Sequence, residues 1–153
     1  MSIRPAASAD CEALTRIVRT SRAYEGEYRR IVADVSITDE TLRRNVVRVY
    51  DAGGRVLGFY SLTCRPHEAE LDLMFVADDA GGAGIGRALF ADMAQVAKAR
   101  GYPGVVIVSH PPSVGFYERM GARRVGVKPP GGNATWERPR LWYELSGERL
   151  PQR

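Results

Sequence analysis

The chain has 153 residues, 44% of them hydrophobic and 26% charged, with a formal net charge of +4. A chain of that length buries about 70% of the surface it would expose unfolded, so a single domain over residues 1–153 needs no metal or disulfide staple. The composition excludes a disordered tail, and the apolar runs are too short to cross a bilayer, so no membrane partner is expected.

Behind Arg4 there is no apolar stretch of the kind a secretion signal needs. Cys11 and Cys64 are far apart and fit neither a paired-thiol nor a metal motif, so they read as reduced thiols in a cytoplasmic protein. Ile3 and Arg4 read as a first strand, and Ser8 as the N-cap of a helix on which Cys11, Leu14, Ile17, Val18 and Ser21 share a side. Tyr24, Glu25, Glu27 and Tyr28 fall in the connection that follows. Thr38 caps a second helix that runs to Arg44. Val46–Tyr50 and Val56–Thr63 flank the Asp51–Gly54 turn as a hairpin, and Ala69–Val76 is the next strand.

A helix over Gly84–Arg100 places Ile85, Leu89, Met93, Val96 and Ala97 along one face and stops at Gly101. Val105–Ser109 reads as strand, Ser113–Met120 as helix and Arg123–Val127 as strand. Lys128–Asn133 is a Pro/Gly loop before a last strand at Leu141–Leu145. His67 and His110 are the only imidazoles, and no ligand cluster has metal spacing, so no metal is expected. The arginines are scattered along the chain, which argues for solvated surface rather than a nucleic-acid partner.

The segment ELDLMFVADDAGGAGIGRAL, from Glu70 to Leu89, runs an apolar strand into a glycine-rich turn that opens a helix. The first helical turn has N–H groups without internal partners and the positive end of the macrodipole, so a diphosphate can rest there. Gly81, Gly82, Gly84 and Gly86 clear side chains from those amides. A Walker-type loop fails because Arg87 and Ala88 stand where Lys and a hydroxyl are needed. A dinucleotide fingerprint fails because Arg87 takes the place of its third glycine.

The loop resembles the acetyl-CoA loop of the GCN5-related N-acetyltransferase (GNAT) family, which reads Gln or Arg, two residues, Gly, one residue, then Gly or Ala. Gly84 and Gly86 match its glycines, while Gly81 stands where a basic or amide residue is usual. The later segment HPPSVGFYERMGARRVG is similar to the same family's following block: Phe116, Tyr117 and Gly121 match in register, with His110 and Ser113 in place of Asn and Ala.

The resemblance implies a GNAT-like α/β fold, with a mixed, mostly antiparallel sheet flanked by helices and splayed between its fourth and fifth strands, and acetyl-CoA as cosubstrate. It implies that Gly81, Gly82, Gly84, Gly86 and Arg87 hold the diphosphate and that Phe116 belongs to the coenzyme site. Backbone groups of Phe75 and Val76 would meet the pantetheine arm. His110 either shapes the groove beside that arm or is a surface histidine.

An alkylamine with a pKa near ~10.4 must lose a proton before it can attack a thioester. By the resemblance, Glu70 is the first candidate base. Asp72, two residues on along the same strand face, is the second. Tyr117 is the candidate acid toward the departing thiolate. Tyr24 and Tyr28, with Glu25, Glu27, the Lys128–Asn133 loop and Trp136, border the acceptor cleft in this family. The acceptor is a small-molecule or peptide amine. Homodimerisation, common in the family, is compatible with the sequence. The reading from another class is an acyl-CoA-binding sensor without catalysis, motivated by Gly81.

Overall fold

Seven strands, β1 (Ser2–Pro5), β2 (Asn45–Ala52), β3 (Arg55–Cys64), β4 (Ala69–Val76), β5 (Gly104–Val108), β6 (Arg123–Lys128) and β7 (Arg138–Glu144), form one sheet in the computed structural model, which describes residues 2–132, 134 and 136–146. The spatial order is β1-β2-β3-β4-β5-β7-β6, and every neighbouring pair is antiparallel except β4 with β5. The β2–β3 hairpin closes through Gly53 and Gly54, both at positive φ (67° and 96°), as its tight turn requires.

The helices are α1 (Cys11–Arg19), α2 (Arg29–Val32), α3 (Asp39–Arg44), α4 (Ile85–Ala99) and α5 (Val114–Arg119). Ser8 does not cap α1. It lies inside a 3-10 turn, Ser8–Asp10, that precedes the helix, and its hydroxyl donates to Asp39. Asp10 closes the start of that turn, its carboxylate accepting from the Ala7 N–H at 2.7 Å while held by Arg4, and makes no side-chain cap to α1 itself. Thr38 caps α3 as expected, in a reciprocal pair with Thr41. Between α1 and α2 the chain makes two further 3-10 turns, Arg22–Tyr24 and Gly26–Tyr28.

Each face of the sheet carries its own core. Tyr60, Leu62, Leu71, Val105, Ile107 and Leu141 pack beneath α4 and α5 with Leu89, Phe90, Met93 and Tyr117. Val47, Val49, Phe59 and Phe75 pack beneath α1 and α2 with Leu14, Val18 and Val32. A buried-edge network fixes α4 on the sheet: Asp92 of that helix accepts from the Tyr60 hydroxyl and from Arg48 Nε, each at 2.7 Å.

β7 begins three residues earlier than the sequence suggests, because Lys128 and Arg138 already pair across the β6–β7 hairpin. Pro139 hides that start, since a proline inside a central strand normally argues against one. Asn133, at the end of the predicted loop, lies outside the described residues; Gly131 and Ala134 bridge across the turn.

The sheet opens in the middle. β4 and β5 pair only over Ala69–Leu71 and Val105–Ile107 and then diverge. At the parting point the β3–β4 register slips, with Leu62 opposite Leu71 and Ser61 opposite Leu73, so Asp72 is the extra residue of a β-bulge. A bulge bends its strand and re-aims its side chains. Here it leaves the second half of β4 with one edge unpaired.

Candidate active site

The far end of the opening is made by the loop from β4 to α4. After Ala77 the chain makes a 3-10 turn over Asp78–Ala80 and passes through Gly82 (φ 83°) to Gly84, the N-cap of α4, at φ 77°. The first helical bond runs from the Ala88 N–H to the Gly84 carbonyl at 3.0 Å, so the N–H groups of Ile85, Gly86 and Arg87 have no acceptor within the helix. Gly81 differs from its neighbours: its φ is −67°, and a Cβ there would meet only the Asp78 carbonyl, at 3.8 Å. Nothing in the backbone requires glycine at that position. At Gly86 a Cβ would stand 3.3 Å from the Phe116 ring, so Phe116 packs against the floor of the loop. Arg87 is exposed on the first turn and makes no ion pair among the described residues.

Along the opening the two edges are unequal. Ala77 donates to the Leu57 carbonyl at 2.8 Å, and by the alternation of an antiparallel ladder Phe75 faces β3 as well. Met74 and Val76 therefore turn their N–H and C=O groups toward the gap. The expectation that Phe75 offers backbone groups to the pantetheine is corrected in this respect. Its side chain instead lies in the core and stacks on Tyr24, with ring centroids 5.2 Å apart.

The cleft between the strands is lined by Asp72, Met74 and Phe75 on one side, Ser109, His110 and Ser113 on the other, with Tyr117 at its base. Tyr117 is buried, and loss of water around it pushes the phenol above its ordinary range, with Tyr24 adding to the effect. The hydroxyl thus remains a proton donor at neutral pH.

The two candidate bases part company. Glu70 sits in the paired half of β4, opposite Val106, and its carboxylate accepts from Arg65 at 3.1 Å. Asp72 lies at the bulge and lines the cleft. Although Asp72 is exposed at the mouth, desolvation by the cleft walls, with Glu70 nearby, raises its pKa, and Arg65 only partly opposes this. A raised carboxylate is the better proton acceptor.

His110 is a buried residue, 2% exposed, which settles its surface alternative. Its Nε2 lies 2.9 Å from the Ala23 carbonyl; that oxygen can only accept, so Nε2 carries the proton and Nδ1 is bare, buried and unpartnered. Burial lowers its pKa more than the Ala23 bond restores it. Tyr24 stacks on the imidazole at 3.8 Å and Tyr28 meets its edge at 5.5 Å. Desolvation pushes the Tyr24 phenol up to about 12. Tyr28 also meets Trp136 edge-on at 4.7 Å. Glu25 and Glu27 are exposed and do not join this cluster.

Sequence reasoning does not single out Met74 or Arg138 as site residues. The only signal for either is two-residue alternation, and at Met74 the bulge at Asp72 resets it.

Among the described residues no helix is long and apolar enough to cross a membrane, and no group of three or more His, Cys, Asp or Glu side chains could hold a metal ion.

The acetyltransferase (GNAT) domain family matches residues 22–130. A ribosomal-protein-alanine N-acetyltransferase from Brucella melitensis is 26% identical, with a TM-score of 0.74 over 95% of this chain and 100% of that one. A PaiA N-acetyltransferase from Thermoplasma acidophilum, solved in complex with coenzyme A, superimposes with a TM-score of 0.71 at 20% identity, covering 94% and 98% of the two chains. The ribosomal-protein-S18-alanine N-acetyltransferase from Escherichia coli gives a TM-score of 0.72 at 17% identity, covering 94% and 93%. No curated protein matches the chain.

Proposed function

The chain belongs to the GNAT acetyltransferase family, and from that premise we propose that it moves an acetyl group from acetyl-CoA to a primary amine by direct attack on the thioester. The observation that carries this reading is the opening between β4 and β5, with uncapped amides at one end and Asp72 and Tyr117 on its walls.

The residues present suit the coenzyme. Three donors at Ile85, Gly86 and Arg87, with the Arg87 guanidinium beside them, match a diphosphate. The free edge at Met74 and Val76 matches the amide-bearing pantetheine arm. Two structural relatives carry the same inference: the Thermoplasma protein was solved with coenzyme A, as was an aminoglycoside 6'-N-acetyltransferase of the same fold.

In the proposed reaction Asp72 takes the proton from the ammonium, directly or through water. The amine nitrogen then bonds to the carbonyl carbon, the C–S bond breaks, and the Tyr117 hydroxyl supplies a proton to the thiolate. A donor N–H on the β4 edge would stabilise the developing oxyanion. Glu70, bound to Arg65, makes Asp72 more basic through its nearby negative charge rather than reaching the amine. No cysteine lines the cleft, so direct transfer is favoured over an acyl-enzyme.

The test is thiol release from acetyl-CoA against a panel of amines, amino acids and peptides. Turnover that depends on an amine supports the reading. Tight coenzyme binding without thiol release across the panel would identify a sensor instead.

A further inference from the structure

We infer that the acceptor carries a carboxylate, held by Arg138 and Lys128, on the side of its reactive amine away from β4. This deepens the proposed function and rests on it.

Strand register assigns the faces. Glu70 pairs with Val106, Val106 with Trp142, Val108 with Arg140 and Lys128 with Arg138, and paired residues share a face of the sheet. Leu71, Ile107 and Leu141 point to the opposite face, into the core under α4. The face toward α1 and α2 therefore carries the Glu70 carboxylate on β4 and cations on β7 and β6, at Arg140, Arg138 and Lys128, while Asp72, the bulge residue, lines the opening between them. On the sheet order Arg138 and Arg140 stand two strand spacings from β4, at least about 10 Å, and Lys128 stands three, at least about 14 Å.

Among the described residues these cations are not matched by carboxylates. Arg138, Arg140 and Lys128 make no ion pair among the described residues, although this chain pairs Arg4, Arg48, Arg55 and Arg65 with carboxylates elsewhere. Lys128 and Arg138 lie directly opposite each other, an arrangement that destabilises a strand pair unless an anion intervenes.

Two donors in this region are also buried without acceptors: Arg138 Nε and Trp136 Nε1. An unsatisfied buried donor is costly, and more so when charged, so a ligand oxygen there gains what the free protein forgoes. The hollow that Arg138 and Lys128 line, beside Ile31 of α2 and the Pro130–Gly131 turn, contains no carboxylate. Arg138 also acts electrostatically on Tyr24, which lies in the catalytic cleft, so the hollow and the cleft are neighbours.

Positive charge at one end and Asp72 at the other match a molecule with an ammonium group and a carboxylate at least about 10 Å apart. An ω-amino acid satisfies that spacing, as does a peptide N-terminus followed closely by an acidic side chain.

The experiment compares ω-aminooctanoate with its primary amide, and the C-terminally amidated tripeptide Ala-Gly-Asp with amidated Ala-Gly-Asn, in the parent, Arg138→Gln, Arg138→Lys and Lys128→Gln proteins, each checked by its melting temperature. The expected parent preference for the carboxylate member is about tenfold in kcat/KM, the worth of one charge-assisted contact. It is expected to appear in KM rather than kcat, to collapse toward unity in Arg138→Gln, and to survive in part in Arg138→Lys. Lys128→Gln changes an exposed side chain and gives an independent reduction if Arg138→Gln fails to fold. The pair with the larger ratio tells a small molecule from a chain end. Equal use of both members by the parent, or a preference untouched by the variants, overturns the inference while leaving the acetyltransferase reading intact. If no amine releases thiol, calorimetry of ω-aminooctanoate on the CoA-bound protein decides it. Binding weakened by Arg138→Gln supports the carboxylate site, and no binding overturns it.

Discussion

At the proposed coenzyme end of the cleft the available groups are backbone amides of three consecutive residues, Ile85, Gly86 and Arg87. At the proposed acceptor end they are side chains from four separate segments, Tyr24, Asp72, His110 and Arg138. The first needs only a local conformation, which Gly84 at φ 77° and the start of α4 provide. The second exists only once the 3-10 turns, the β4 bulge, the end of β5 and the β6–β7 hairpin have come together. A site made of backbone tolerates sequence change around it, whereas one made of side chains is where members of a family diverge.

Substitutions can break or sharpen this contrast. The largest effect is expected at the proposed acceptor end: Asp72→Asn removes the proposed proton acceptor and should lower kcat/KM by about 100-fold, the low end for general-base loss. Its CoA dissociation constant should be unchanged, as calorimetry would check, and Glu70→Gln should cost far less activity. A CoA affinity that fell together with the rate would mean that the two ends are not separable.

At the coenzyme end, Gly84→Val forces a β-branched residue into left-handed backbone, at a cost of about 1–2 kcal/mol in the loop. CoA affinity should fall by about tenfold, with kcat at saturating coenzyme little altered. Tyr117→Phe removes the proton donor but leaves a leaving group that is already fair, so kcat should fall by about tenfold. Stopped-flow thiol release would separate that step from product release.

Smaller effects come from Gly81 and His110. Because Gly81 has an ordinary φ and open surroundings, Gly81→Arg should fold normally and add one exposed phosphate contact. CoA binding should tighten by about threefold to fivefold, corresponding to ~0.7–1 kcal/mol, and the gain should fade at high salt. His110 has its pKa lowered in the fold, so its contribution to stability is full above the unfolded value near ~6.5. That contribution is lost as pH falls from there through the folded value. The melting temperature of the parent should therefore drop between neutral pH and mildly acidic pH, and that slope should be shallower in His110→Asn.

The same contrast explains what the sequence made legible. The hairpin at Gly53–Gly54, β4, the glycine loop and α4 each announce themselves through short-range signals, and their positions agree with the structure. The central splay follows from the family resemblance rather than from any residue pattern. What stayed hidden depends on long-range pairing. Alternation alone puts Glu70 and Asp72 on one face, but only the β3–β4 register reveals that Asp72 is a bulge residue beside the gap while Glu70 is tied to Arg65. The burial of His110 depends on Tyr24, 86 positions earlier in the chain, stacking over it. Ser8 was misleading because its neighbour Asp10 accepts the Ala7 N–H instead.

The central claim is that the uncapped amides opening α4 and the free edge of β4 receive the coenzyme. Amide chemical shifts of the ¹⁵N-labelled protein titrated with CoA test it most directly. The largest changes are expected at Ile85, Gly86, Arg87, Met74 and Val76, with little change at Phe75. Shifts concentrated instead in the groove between α1 and the β2–β3 turn, around Arg16 and Arg55, would contradict it.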